Sequence, residues 1–219
     1  MEDCQRIRKN PLAAFIRWKF FSNPFIGKNN NLGYLTLPDY LRPGLKLVFI
    51  GLNPGLYSAQ AGKYFARQTN RFWPALSASH FFGRAVQAGD EKFLFERDVG
   101  FTDVVKRATS QIDELTQDEI VAGAKTLRRK IEKFSPAAIC FLGITGFRWV
   151  FNLSAKIKIT PGPQSEKIGS ALIYVLPSPS AANAHYSFEK IVAECRRLKH
   201  WLGESRGANI SLDNHANFD

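Results

Sequence analysis

Hydrophobic and polar residues along the chain follow patterns that predict alternating strands and helices. Three unbroken apolar runs, each followed by glycine or proline, are typical of strands buried on both faces: residues 47–50, 137–142 and 172–176. Residues 98–105 predict a further short strand or an extended turn. Residues 156–167 are rich in proline and glycine and predict a hairpin or a loop.

Two longer segments have the periodicity of amphipathic helices. Residues 118–134 place one apolar stripe toward the core and leave the cationic side chains of Arg128, Arg129 and Lys130 in solvent. A C-terminal helix follows Ser187, and the hydroxyl of that serine is expected to cap it.

This alternation predicts an α/β fold of three layers, α/β/α, with a mainly parallel central sheet covered on both faces. Three predicted strands lead into segments of unusual composition: GLNPG after the first, FTD near the second, and a loop rich in proline and serine after the last. Because the carboxyl ends of parallel strands meet at one edge of a sheet, we expect a ligand site at that edge.

We expect three regions in the chain. Residues 1–44 form a basic and aromatic N-terminal extension, residues 45–203 one domain, and residues 204–219 a polar, disordered tail. Apolar residues recur at helical spacing within residues 12–19, which favours a helix docked on the domain. A nucleic-acid-binding arm is the alternative.

The charge of the chain indicates a polyanionic partner. Its 219 residues carry a formal net charge of +11, while 45% of them are hydrophobic, as in an ordinary globular protein. No apolar run approaches the length of a membrane span, and the N-terminus lacks a signal-peptide pattern, so we expect neither membrane insertion nor secretion.

The cysteines and histidines predict no metal site. Cys4, Cys140 and Cys195 are odd in number and scattered, which indicates a reducing compartment and cannot supply the four thiolates of an iron–sulfur cluster. The four histidines show no metal-ligand spacing. We therefore expect no metal and no cofactor.

The segment that follows the first predicted strand concentrates the candidate chemistry. Pro54 forces Asn53 out of the helical region, so that a fixed amide is expected at the mouth of the site. Further on, cations alternate with aromatic residues, a composition suited to holding phosphates and stacking bases: Lys63, Tyr64, Phe65, Arg67, Arg71, Phe72 and Trp73.

Two motifs carry a family resemblance that runs from about Leu45 to Leu202. The first is GLNPGLYSA followed by YFARQTNRFW, from Gly51 to Trp73, and the second is LPSPSAAN, from Leu176 to Asn183. Together they resemble the mismatch-specific uracil/thymine DNA glycosylases of the uracil-DNA glycosylase superfamily.

The resemblance implies a role for each matching residue. Asn53 would position the attacking water, Phe65 would stack on the extruded base, and Ser58 would lie near the 5-position of the pyrimidine. Other residues would line the base pocket: Gly51, Leu52, Gly55 and Ser178. The remaining matches and neighbouring cations would contact DNA: Ser180, Ala181, Ala182, Asn183, His185, Lys63, Arg67 and Arg71.

Two positions depart from the family pattern. Ala182 stands where members carry a larger wedge residue, which puts strong intercalation in doubt. Asp103 stands at a position that is often not acidic in the family, and we predict that this carboxylate assists or partly replaces Asn53 in activating water. A turn cap, or an ion pair with Lys106 or Arg107, is the alternative.

The expected function is therefore that of a monofunctional DNA glycosylase. It would act as a monomer on double-stranded DNA and remove uracil, with mismatched thymine or modified pyrimidines as further candidates. Its expected location is the cytoplasm and nucleoid of a prokaryote or the nucleus of a eukaryote. A non-catalytic nucleic-acid-binding module is one alternative, and an α/β enzyme that uses GLNPG as a phosphate-binding turn is another.

Overall fold

A five-stranded sheet forms the centre of the protein, which a computed structural model describes from residue 33 to residue 204. The strands are β1 (Leu47–Gly51), β2 (Val99–Asp103), β3 (Ala138–Leu142), β4 (Gly162–Ile168) and β5 (Ala171–Leu176). Their spatial order is β2-β1-β3-β5-β4, and only β4 runs antiparallel to its neighbour.

Six helices accompany the sheet in the described residues. They are α1 (Leu56–Ala61), α2 (Phe72–Ala78), α3 (Glu91–Phe95), α4 (Gln117–Phe134), α5 (Ile144–Val150) and α6 (Phe188–Glu204), with a short 3₁₀ turn at Ile112–Glu114. The two amphipathic helices predicted from the sequence are α4 and α6. Helix α4 begins at a capping box in which Thr116 and Glu119 bond reciprocally to each other's backbone N–H groups.

Alternate residues of the central strands point into two separate cores. On one face, side chains such as Phe49, Phe101 and Cys140 pack with α2, α3 and α6. On the other face, side chains such as Ile50 and Phe141 pack with α4 and α5. Both faces are covered, so the three-layer α/β/α prediction is confirmed.

The uncertain segments of the prediction are resolved as strands. Residues 99–103 form β2, and the second half of the 156–167 segment forms β4, which pairs with β5 as a hairpin. Inner residues of β4 alternate between exposed and half-buried because this strand lies at the edge of the sheet. Its polar composition therefore reflects its position.

The segment before β1 belongs to the packed domain. Leu37, Tyr40 and Leu41 are buried, and Tyr40 exchanges backbone hydrogen bonds with Phe101 of β2. The docked helix predicted within residues 12–19 and the tail after residue 204 lie outside the described residues. No helix between residues 33 and 204 has the length and hydropathy needed to cross a membrane.

Candidate active site

The carboxyl ends of the parallel strands open into one cleft of about 920 Å³. Gly51, the last residue of β1, pairs in register with Asp103, the last residue of β2. The cleft is lined by 14 of the 16 predicted site residues: Gly51, Leu52, Asn53, Gly55, Ser58, Phe65, Arg67, Asp103, Ser178, Ser180, Ala181, Ala182, Asn183 and His185. Lys63 and Arg71 do not line it. The roles of the lining residues stay predictions.

Asp103 is a buried carboxylate at the bottom of this cleft. The residue is 2% exposed, and its Oδ2 has no hydrogen-bond partner among residues 33–204. The nearest cation is Lys106, whose Nζ lies 3.7 Å from Oδ2. Burial raises the pKa of Asp103 from its ordinary value to about 6, although Lys106 lowers it.

Glycine at position 51 makes room for this carboxylate. A Cβ atom at Gly51 would overlap Oδ1 of Asp103 and contact the ring of Phe65. The first residue of the GLNPG motif, Gly51, thus has no side chain that would overlap the Asp103 carboxylate on the neighbouring strand.

The amide of Asn53 is held firmly by the segment after β2. Its Nδ2 donates to Thr109 Oγ1 at 2.7 Å and to the backbone carbonyl oxygens of Arg107 and Pro54 at 3.1 and 3.3 Å. Backbone carbonyls only accept hydrogen bonds, so these partners fix which end of the amide is nitrogen. The carbonyl Oδ1 is the atom left to bind water.

Phe65 occupies a sharp bend between α1 and α2. Its φ of +53° is a backbone conformation that aromatic residues rarely adopt. The ring is half-buried and packs against Phe72, with the two ring centroids 4.4 Å apart. The predicted neighbour Ser58 stabilises this bend, because its Oγ accepts a hydrogen bond from the backbone N–H of Ala66 at 3.0 Å.

Arg71 organises the loop of residues 177–186. Its side chain donates hydrogen bonds to four backbone carbonyls, those of Pro179, Ser180, Asn183 and Tyr186, and its backbone N–H donates to Pro179 as well. The sequence predicts that this guanidinium contacts DNA. We infer instead that Arg71 holds the loop in shape and affects DNA through it.

Replacement of Arg71 by methionine is expected to loosen that loop even when no DNA is present. Amide hydrogen exchange of residues 177–186 should accelerate by roughly tenfold or more, because hydrogen bonds to charged groups contribute about 1.5–3 kcal/mol each. Arg67→Met is the control, since Arg67 lines the same cleft without bonding to this loop in the described structure. Unchanged exchange in the Arg71 variant would return that residue to a direct DNA contact.

Two further cations near the site, Lys106 and Arg107, form ion pairs with carboxylates. Arg107 pairs with Glu119, an interaction that lowers the pKa of Glu119 to about 2. Lys106 lies mostly buried against Asp39. Both cations are therefore engaged in ion pairs within the described residues.

The prediction that Lys130 of α4 lies in solvent is wrong. We expected its side chain in solvent, but only 14% of it is exposed and its Nζ lies 2.6 Å from Asp39 Oδ2. The spacing of apolar residues along α4 does not show that Asp39, a buried carboxylate from the segment before β1, binds this lysine. Sequence reasoning also missed Thr109, which lines the cleft and accepts a hydrogen bond from Asn53.

The described residues show no arrangement typical of a metal site. Between residues 33 and 204, no three histidine, cysteine, aspartate or glutamate side chains are grouped so that they could hold an ion. Cys140 and Cys195 are buried free thiols.

A family model matches this chain, and the chain is similar to solved structures. The solution NMR structure of a "putative Uracil DNA glycosylase" from Methanosarcina acetivorans is 21% identical, with 76% of this chain and 98% of that chain covered and a TM-score of 0.47. The family assignment does not depend on that likeness. A sequence model of the uracil DNA glycosylase superfamily matches residues 38–200, a span that includes both motifs and every residue of the cleft except Leu37. This chain belongs to the uracil DNA glycosylase superfamily.

Proposed function

We propose that this protein is a monofunctional DNA glycosylase that removes uracil from DNA by hydrolysis. The observation that carries the proposal is the pair of polar groups at the bottom of the cleft. Asp103 offers a buried carboxylate whose Oδ1 lies beside Gly51, and Asn53 offers a fixed amide oxygen. Membership of the superfamily supports DNA as the substrate.

Hydrolysis of the glycosidic bond requires a water molecule on the sugar face opposite the departing base. In our proposal Asn53 orients that water, and Asp103 accepts its proton as the water oxygen bonds to the sugar. The bond between the sugar and the base breaks at the same stage, and its electron pair leaves with the uracil ring. With a pKa of about 6, Asp103 is mostly ionised at pH 7, as a general base must be.

The departing base needs a stacking surface and hydrogen-bond donors. Phe65 supplies the aromatic surface at the bend after α1, where its strained backbone fixes the ring. Backbone groups of Gly51, Leu52 and Gly55, together with Ser178, are the proposed polar lining of the base pocket. Donors that meet the developing negative charge of the ring stabilise the transition state.

The loop of residues 177–186 is the proposed contact with the duplex. Its backbone is held by Arg71, and Asn183 Nδ2 donates to the carbonyl of Ser178 at 2.9 Å, so its shape is set before DNA arrives. Ala182 gives this loop a small side chain at the wedge position. We therefore expect weakly paired bases to be removed faster than well-paired ones.

The lining of the cleft also supports the monofunctional character of the enzyme. Among the described residues that line it, none is a lysine, so no amine is placed to form a covalent intermediate with the sugar. The product is then an abasic site in an intact strand. We propose that the enzyme acts as a monomer in the compartment that holds the DNA.

A panel of duplexes tests this function and its range. Each duplex carries uracil, thymine, hypoxanthine, ethenocytosine or a 5-modified pyrimidine opposite each normal base, and alkali then cleaves the strand at abasic sites. We expect cleavage at uracil, faster in a mismatch with guanine than in a pair with adenine. Binding without cleavage for every duplex would favour the non-catalytic module instead.

A further inference from the structure

A group of buried charges lies behind Asp103, away from the cleft opening. Asp39, which comes from the segment before β1, is 5% exposed and binds two lysines. Lys106, just after β2, lies with its Nζ 2.8 Å from Asp39 Oδ1, and Lys130 of α4 lies 2.6 Å from Oδ2. Thr102 of β2 donates a further hydrogen bond to Oδ1 at 2.7 Å.

The charges of this group do not balance without Asp103. Two ammonium groups face the single carboxylate of Asp39, which leaves one positive charge in a mostly buried place. Asp103 supplies the second negative charge, with its Oδ2 3.7 Å from Lys106 Nζ. The four groups are therefore neutral as a set only when Asp103 is ionised, which favours the charged carboxylate and partly offsets the cost of its burial.

The link between Asp103 and the rest of the group passes through one residue. Lys106 contacts both carboxylates, whereas Lys130 contacts Asp39 and has no ion pair with Asp103 in the described structure. We propose that Lys106 is a positioning residue that keeps Asp103 ionised for catalysis, and that Asp39 and Lys130 hold Lys106 in place for this task. The proposal rests on the function proposed above.

All groups that face Asp103 enter this balance. Burial raises the pKa of Asp103 and is the largest influence, Lys106 lowers the pKa, Asp39 raises it, the nearby hydroxyl of Tyr64 lowers it, and Lys130 lowers it. The hydroxyl of Tyr64 also lies 3.5 Å from Lys106 Nζ and stays protonated, since burial raises its own pKa further above the ordinary value. Of the groups that lower the pKa of Asp103 against the effect of burial, Lys106 is therefore the most important.

A purely structural ion pair is the competing explanation, and the two lysines offer a matched comparison. Lys106→Met and Lys130→Met each remove one buried ammonium group from the same carboxylate, Asp39. If the lysines serve only stability, both variants should lose stability and neither should alter the titration of Asp103. If Lys106 controls Asp103, the two variants should differ in that titration.

The decisive experiment measures the pKa of Asp103 directly, by ¹³C NMR of its side-chain carboxyl, alongside the pH dependence of single-turnover uracil excision. In Lys106→Met we expect the pKa of Asp103 and the acidic limb of the rate profile to move upward together by about one pH unit or more. Excision should therefore be slow at pH 7 and recover toward the wild-type rate near pH 9. Lys130→Met should give a smaller shift.

Two further variants keep the test decisive. Lys106→Arg retains the positive charge and should keep the acidic limb near its wild-type position. Lys106→Gln, which retains a donor toward Asp39, replaces the methionine variant if that variant does not fold. Equal shifts in the Lys106 and Lys130 variants, or an unmoved pKa of Asp103, would overturn the proposal. The NMR titration needs no DNA, so a lack of excision by the wild type would contradict the proposed function alone.

Discussion

Replacement of Asp103 by asparagine is expected to slow single-turnover excision of uracil by about two to four decades, the usual effect of losing a general base. Asparagine keeps the shape of the side chain and removes its charge. The acidic limb of the pH–rate profile, which the carboxylate causes by accepting a proton near pH 6, should flatten in this variant. An unchanged rate and profile would remove Asp103 from the mechanism.

The same substitution should make the folded protein more stable at pH 7. Burial raises the pKa of Asp103 to about 6 in the folded state, so the folded protein favours the protonated form. The stability gained from this preference is fully present below the pKa that the Asp103 carboxyl has in the unfolded chain, near 3.9. It is lost as the pH rises through about 6, the pKa in the folded state. Above that pH the ionised carboxylate reduces stability, and asparagine removes the cost.

Urea unfolding at two pH values checks this stability effect. At pH 7 we expect Asp103→Asn to unfold with about 1–3 kcal/mol more free energy than the wild type. Below about pH 3 the difference should disappear, because the wild-type carboxyl is then protonated in both states. A variant that is less stable at pH 7 would mean that Asp103 serves mainly as a structural ion-pair partner of Lys106.

The second large effect is expected from Asn53→Ala. We predict a loss of about two to four decades in single-turnover excision, since the oriented amide oxygen that binds water is removed. DNA affinity should stay largely intact because Asn53 lies at the bottom of the cleft and not on the loop of residues 177–186. Single-turnover kinetics with saturating enzyme separate the two quantities.

Thr109→Val is the matched control for Asn53→Ala. It removes the 2.7 Å hydrogen bond to Asn53 Nδ2 but leaves the amide and its two backbone partners. If Asn53 acts on water, Thr109→Val should slow excision much less than Asn53→Ala does. Near-normal excision by a folded Asn53→Ala protein would show that this amide has only a structural role, joining the segment after β1 to the segment after β2.

The elements that position the site could be predicted from local patterns in the sequence. The run at residues 47–50 and the pair of glycines in GLNPG were sufficient to place Asn53 at a strand end. Asp103 could be placed on the same edge because β1 and β2 are parallel and in register. Topology of this kind follows from the alternation of strands and helices.

The charges around the site could not be predicted, because their partners are distant in sequence. Lys130 lies 91 positions from Asp39, and Arg71 lies 115 positions from Tyr186. The helical pattern of α4 assigns Lys130 to solvent, and the motif around Arg71 suggests a phosphate contact. Only the packed structure shows that both cations are used inside the protein.

Release of free uracil in a single turnover tests the central claim most directly. Excess enzyme is mixed with a duplex that contains one uracil opposite guanine, and both the free base and the length of the strand are measured before any alkali is added. We predict one equivalent of uracil and an intact strand from the wild type, and neither uracil nor cleavage from Asn53→Ala/Asp103→Asn on the same timescale. Tight binding without release of uracil, or equal release by the double variant, would contradict this account.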